Sequence, residues 1–191
     1  MIVSWMPKVT LPDDEAIVAS VKNGQEKDFE ILIQRYERRV FSYVLRMVGN
    51  LQDAEELAQD CFVRAFSGIA AYQSKGRFRS WLFTVARNLC KNHQAKKYHN
   101  GRRVIQEELP DNLTAKPTDD SSGEEIQGWL SSLPKEYRTV MVLKYVADLS
   151  CREIAEVESI TEAAVKQRLH RGREMIREKI DGDKKGHETH E

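Results

Sequence analysis

The chain has 191 residues, 40% of them apolar, with only five prolines and ten glycines. That is enough for one domain or two small ones, and it excludes a fibrous or wholly disordered protein. Formal net charge is zero, from 30 basic and 30 acidic residues, yet the charge is segregated: Tyr72 to Arg103 hold nine Lys and Arg and no acid, which leaves the remainder at minus nine. A block this one-sided fits a polyanion partner or a solvated basic face, and charge alone does not separate the two.

No run of eighteen apolar residues exists, so no membrane-spanning helix and no direct membrane insertion are expected. The apolar start, Met1 to Pro7, is short and lacks a basic segment or a cleavage-like site, so no signal peptide is expected and the chain is read as cytoplasmic. Cys61, Cys90 and Cys151 are few, odd in number and far apart, which argues for thiols and against a disulfide framework.

Nearly every segment carries helical periodicity. Pro12 and Asp13 open a short helix through Ile17, Val18 and Val21 that stops at Gly24. From Asp28 the apolar residues Phe29, Leu32, Ile33, Tyr36, Val40, Val44 and Val48 step by three and four up to Gly49-Asn50. The next helix sets Ala54, Leu57, Ala58, Cys61, Phe62, Ala65, Phe66 and Ile69 inward, and Asp53, Glu56, Gln59, Asp60 and Arg64 outward. After a polar loop from Tyr72 to Arg77, a further helix turns Phe78, Trp81, Leu82, Val85, Ala86 and Leu89 inward. Its outward face carries Ser80, Thr84, Arg87, Asn88, Lys91 and Asn92.

Residues 106–125 are acidic, polar and Pro-bearing, a linker composition that buries too little to fold alone. Helical pattern resumes at Glu125 and passes Trp129, Leu130 and Leu133-Pro134 to Val140–Val146. Ser150 and Glu153 form an S-x-x-E capping box that starts another helix, and Thr161 can cap a last one with Val165, Leu169, Gly172 and Ile176 inward. No strand-like alternation appears. The fold class is therefore all-α: two small helical domains, residues 13–103 and 125–180, joined by a flexible acidic linker at 104–124 and followed by a disordered tail at 181–191.

The helix from Ser150, the turn near Glu158-Ser159 and the helix from Thr161 have helix-turn-helix spacing. Helical geometry then turns Lys166, Gln167, His170 and Arg171 outward, long donors of the kind that match purine edges in a major groove, with Arg168 and Arg173 beside them for phosphates. The alternative is an ordinary helical hairpin with a basic solvent face. In the first domain the basic stretch is interleaved with Tyr72, Phe78, Trp81 and Phe83. Phe78 and Trp81 fit core positions, but Tyr72 sits in a Ser/Gly/Lys loop, so an exposed ring is expected there. Cations with an exposed ring suit single-stranded nucleic acid, and Asn88 can hydrogen-bond an unpaired base. Cys90, His93 and His99 lie close together but read as a buried thiol and two surface histidines, so no metal and no cofactor are expected.

Three ordered blocks carry a resemblance. The stretch from Asp53 to Phe66, the stretch from Phe78 to Asn88, and the set Leu133–Arg138, Leu149–Ala155 and Val165–Arg171 together resemble the extracytoplasmic-function sigma factors, the smallest members of the sigma-70 family. The resemblance spans nearly all the helical chain. It implies a non-enzymatic factor that binds RNA polymerase core and directs promoter-specific initiation. Asp53, Glu56, Gln59, Asp60 and Arg64 would face the clamp helices of the largest polymerase subunit, and the second-largest subunit's flap is a further implied partner. Tyr72 and Asn88 would hold a flipped −10 base, and Arg87 and Lys91 the backbone, within a −10 set that also includes Lys75, Arg77, Arg79 and Trp81. Lys166, Gln167, Arg168, His170, Arg171 and Arg173 would serve the −35 element. Promoter DNA, duplex and single-stranded, and an anti-sigma factor complete the implied partners. Two rivals stay open on the residues alone: a plain helix-turn-helix regulator, and a protein that mimics a sigma factor and sequesters core.

One departure stands out. The family usually places an apolar residue and then Gly before the recognition helix, where this chain has Glu158-Ser159. A buried Glu needs a partner, so Glu158 is expected at solvent or in a shifted turn, and the missing Gly predicts a strained turn residue.

Overall fold

The computed structural model describes residues 12–73, 76–99 and 121–187. Lys75, residues 104–120 of the expected linker and residues 188–191 of the expected tail lie outside them. The described residues are helical and contain no strand: α1 (Asp14–Lys22), a 3-10 turn (Glu26–Asp28), α2 (Phe29–Val48), α3 (Leu51–Gly68), α4 (Phe78–His99), α5 (Ser121–Ser132), α6 (Lys135–Tyr145), α7 (Cys151–Glu158) and α8 (Glu162–His187).

Local chemistry sets most of the ends. The Asp13 carboxylate accepts the Ala16 amide at 2.7 Å and opens α1. Gly49 closes α2 in the left-handed region, φ 70°, donating its amide to Leu45 at 2.8 Å. Asn50 accepts the Asp53 amide at 2.8 Å and opens α3 at once, so α2 and α3 form a tight antiparallel hairpin. Leu32, Tyr36, Val40, Tyr43 and Val44 of α2 then pack on Ala54, Cys61 and Ala65 of α3 and on Phe78, Leu82, Phe83 and Ala86 of α4. Full burial of such side chains contributes about 1.5–3 kcal/mol each for the larger ones. Cys61 and Cys90 are buried thiols in this core, and Cys151 is half-buried at the start of α7.

Two inward and outward assignments are corrected, those of Phe66 and Ser80, and Phe83, which periodicity left unassigned, joins the core. Phe83 is fully buried, edge-on to Tyr43 with ring centroids 5.6 Å apart. Phe66 is 38% exposed, its ring resting on the edge of Phe29. Ser80 is buried rather than outward, because another helix covers the start of α4, as described below.

In the C-terminal half, α6 buries Thr139 to Leu143 and packs on α8. Gly172 makes that approach possible: a Cβ there would stand 3.1 Å from Met141 Cγ. The capping box at α7 is complete, with Ser150 Oγ accepting the Glu153 amide and Glu153 accepting the Ser150 amide. Thr161 Oγ1 accepts the Ala164 amide at 3.1 Å and starts α8. Two bounds differ from the sequence reading: α5 begins at Ser121, and α8 continues to His187, past residue 180. Arg177, Glu178 and Lys179 are strong helix formers that carry a helix onward without burying anything.

The two halves are in contact. α7 lies along α4 and α6 reaches α2, and the buried apolar side chains of both halves form one continuous cluster. Arg46 donates to Gln127 at 3.0 Å and Lys135 to Gln94 at 2.6 Å across the same boundary.

Candidate nucleic-acid interface

The last helix presents a donor face. Val165 and Leu169 are buried and Gly172 sits against α6, so Lys166, Gln167, His170, Arg171 and Arg173 fall outward and are exposed, while Arg168 is half-buried. Several are steadied by acids: Lys166 pairs with Glu162 at 2.9 Å, Arg171 with Glu174 at 3.2 Å, and Arg168 with Glu136 at 3.5 Å. Pairs this exposed contribute little to stability and give way readily to a phosphate or a base edge.

Ahead of this helix, Ser159 takes the left-handed conformation at φ 56°, ψ 43°, so the expected strained residue is present. Glu158 follows neither expected course. Its side chain is only 10% exposed, and it is held by Arg87 Nε at 2.6 Å. A buried carboxylate is tolerable here because its counter-charge comes from α4, 71 residues away in sequence.

The face of α4 is built differently. The first turn of α4 holds no acidic residue. Glu15 of α1 caps it, one carboxylate oxygen accepting the amides of Arg77 at 3.1 Å and Phe78 at 3.2 Å. The same oxygen accepts the Tyr72 hydroxyl at 2.6 Å. Tyr72 is therefore not the exposed ring expected from its loop. It is 6% exposed, tilted on Trp81 with centroids 4.9 Å apart and edge-on to Phe78. Loop composition suggested exposure, but Glu15, 57 residues away, supplies the hydroxyl's partner. Trp81 is half-buried, its ring 3.4 Å from the position of a Cβ on Gly68.

The arginines of this face are occupied. Arg79 grips Glu153 through two bonds of 2.7 Å, Arg77 meets Glu156 at 3.1 Å, and Ser80 donates to Glu156 at 2.9 Å. With Arg87 on Glu158, every arginine from Arg77 to Arg87 binds a glutamate of α7. Burial pushes the Glu153 carboxyl up, but hydrogen bonds from Ser150 and Arg79 outweigh it and hold the group below the ordinary carboxylate range. Asn88 and Lys91 remain exposed.

On α3, Glu56, Gln59 and Arg64 are exposed and Asp60 half-buried. Asp53 is turned inward to α4, pairing with Lys97 and with His93 at 3.3 Å. Between the polar positions stands Val63, 63% exposed, which periodicity did not single out. A large apolar residue with no inward role on an otherwise polar strip was the available signal. No group of three or more His, Cys, Asp or Glu that could hold a metal occurs among the described residues. Likewise, no described helix is long and apolar enough to cross a membrane.

Comparisons with known proteins agree on one family. Sigma-70 region 2 matches residues 32–99 and sigma-70 region 4 matches residues 123–176. The ECF RNA polymerase sigma factor SigW of Bacillus subtilis is 32% identical over 179 residues, covering 85% of this chain and 94% of the relative. The ECF sigma factor SigE of Mycolicibacterium smegmatis is also 32% identical, over 91% of this chain and 70% of the relative. Among solved structures, the sigma factor RpoE in complex with the anti-sigma factor NepR, from Bartonella quintana, shares the fold with a TM-score of 0.72 at 18% identity, over 81% of this chain and 98% of that one. CnrH in complex with the cytosolic domain of CnrY does so with 0.70 at 22%, over 89% and 98%. The chain belongs to the extracytoplasmic-function sigma factors of the sigma-70 family, proteins that bind RNA polymerase core and direct transcription to start at particular promoters.

Proposed function

We propose that promoter recognition is divided between two unlike faces of this factor. The first two turns of α8 read duplex −35 DNA, with Lys166, Gln167, His170 and Arg171 at base edges and Arg168 and Arg173 on phosphates. The face of α4 holds the opened −10 strand: Asn88 bonds an unpaired base while Arg77, Arg79, Arg87 and Lys91 neutralise phosphates. Buried Tyr72 and half-buried Trp81 act there as an aromatic support under the first turn of α4. The polar strip of α3, Glu56, Gln59, Asp60 and Arg64 with Val63 added, meets the clamp helices of the polymerase largest subunit, and the C-terminal domain meets the flap of the second-largest.

The observation that carries this reading is the donor face of α8, solvent-facing while Val165, Leu169 and Gly172 bind the same helix to its domain. The factor works in the cytoplasm and performs no reaction itself, since nucleotidyl transfer belongs to the polymerase. An anti-sigma factor is a further expected partner, supported by the relative of like fold solved with one. The test is run-off transcription on fragmented genomic DNA with purified core. Wild-type protein should yield discrete starts sharing two upstream elements, and Gln167→Ala with Arg171→Ala should lose those starts. Absence of any start with active core would overturn the reading.

A further inference from the structure

Helix α1 precedes the residues that match sigma-70 region 2, yet it reaches the place where α4 begins. Its own seat is firm. Ile17, Val18 and Val21 are buried in the core, and Asp14 accepts from Arg35 and from the Tyr36 hydroxyl, both on α2. From that base two side chains meet the segment leading into α4. Glu15 Oε1 accepts the Tyr72 hydroxyl and the Arg77 and Phe78 amides, so one atom holds residues at both ends of the segment. The Arg77 amide also donates to the Tyr72 hydroxyl at 3.2 Å, which closes a triangle. Lys22 Nζ donates to the Tyr72 carbonyl and lies 5.7 Å from the centre of the Tyr72 ring.

This arrangement costs more than capping a helix requires. Glu15 Oε2 is buried and has no hydrogen-bond partner among the described residues. A carboxylate with one oxygen buried and bare is held against a desolvation cost that a local Ser or Asn cap does not incur. What the long-range cap adds is the placement of Tyr72. The Tyr72 ring tilts on Trp81, with centroids 4.9 Å apart. Half-buried Trp81 heads a row on α4 in which Val85, Asn88 and Asn92 follow at steps of four, three and four and share one face. Asn88 therefore lies two turns, about 10 Å, along the same face from the ring that Tyr72 supports.

We propose that Glu15 is a positioning residue for −10 recognition: acting from α1 through Tyr72, it fixes the Trp81 ring and the first turn of α4, and so sets which unpaired base Asn88 accepts. Glu15 itself touches no DNA. The inference rests on the reading of α4 as the holder of the opened strand. Hydrogen bonds discriminate among bases only when the bonding group and the stacking surface stand in fixed register, and three bonds to a single oxygen supply that register here. Loosening it leaves the arginines and Lys91 to attract phosphate as before. Affinity for a strand of any sequence then survives, and preference among bases is lost.

The test binds the full chain, assembled with purified core, to a single-stranded DNA pool with ten randomised positions, and sequences the bound fraction. It is run at a temperature where thermal melts show every variant folded. Wild type should favour one base at one position on the order of tenfold, as a well-placed hydrogen-bonded contact does. Glu15→Ala should bind the pool as tightly in total, with the preference cut to about twofold. Glu15→Gln, which keeps an acceptor for the amides and the hydroxyl, should recover most of the preference. Lys22→Met, at an exposed position, should lower it in the same direction, and it decides the matter by the same comparison if Glu15→Ala does not fold. Val18→Ala removes buried volume from α1 but leaves its ties to Tyr72 and α4 in place, so it should keep the wild-type preference. Retention of the full preference by Glu15→Ala overturns the proposal, as does an equal loss in Val18→Ala, which would trace the effect to stability. Asn88→Ala separates the two readings. If it loses the preference while Glu15→Ala keeps it, α4 holds the strand and only the positioning role falls. If wild type shows no preference at all, the reading of α4 fails and takes the inference with it.

Discussion

A single oxygen of Glu15 joins α1 to the start of α4, accepting the Tyr72 hydroxyl at 2.6 Å and two backbone amides at the mouth of the helix. The carboxylate does for α4 what a local cap does elsewhere, from another helix. Glu15→Ala should therefore destabilise the N-terminal half by about 1–3 kcal/mol, because it strands two amide donors and a buried hydroxyl. Tyr72→Phe should cost about 1 kcal/mol, since the ring packing on Trp81 and Phe78 survives. Urea unfolding followed by Trp fluorescence checks both. A loss at Tyr72→Phe larger than at Glu15→Ala would contradict the assignment of Glu15 as the cap.

Asp60 and Asp53 sit on one helix but should respond differently to reversal. Asp60→Arg should weaken core binding tenfold or so, about 1.4 kcal/mol, while leaving the melting temperature unchanged. Asp53→Arg should lower both, because Asp53 holds Lys97 and His93 of α4. Fluorescence anisotropy with labelled factor and purified core, beside a thermal melt, separates the two. Equal core affinity for Asp60→Arg and wild type would remove α3 from the polymerase contact.

The Glu153 carboxyl is held below its ordinary value of 4.5 by Ser150 and Arg79, against the opposing effect of burial. A group depressed in the folded state contributes stability that is complete above its unfolded value and is lost as pH falls through the folded one. The stability difference between wild type and Glu153→Gln should accordingly be constant from pH 7 to about 5 and shrink below 4.5. Urea titrations of both proteins between pH 7 and 3.5 measure it. A difference that grows on acidification would mean that Glu153 is not stabilised as an anion.

Burial pushes the Cys61 and Cys90 thiols up to about 12. At pH 8 both should stay protonated and unreactive, and an aromatic disulfide reagent should label only Cys151 in the native factor. All three should react in 6 M guanidinium. Two or more fast thiols in the native state would show that the α3–α4 core opens on the timescale of the assay.

Two backbone positions in the C-terminal half offer opposite signs. Ser159→Gly should stabilise by about 1 kcal/mol, relieving a left-handed residue. Gly172→Leu should destabilise by about 1–3 kcal/mol, since it drives a side chain into Met141 and Tyr137. Chemical denaturation of both variants gives the comparison.

Helix periodicity, the Ser150 capping box, the Thr161 cap and the inward Gly172 are local features, and each is present in the sequence as a pattern of neighbouring residues. Tyr72, Ser80 and Glu158 were not legible in that way. Their surroundings are made by residues 57, 76 and 71 positions away, and no helical wheel contains such a partner. The donor array of α8 was readable because its inward and outward sides are fixed by one helix. The face of α4 was only half readable, because what covers it belongs to another domain.

Glu153 serves two helices at once: its side chain closes the first turn of α7 and carries both bonds to Arg79. A replacement there frays its own helix in the act of releasing the other. Mutational drift that adjusts how firmly the halves adhere is thus channelled to positions 156 and 158, and position 153 is pinned by the folding of the unit that contains it. A lineage of such factors can retune its adhesion in two places without risking the folding of α7.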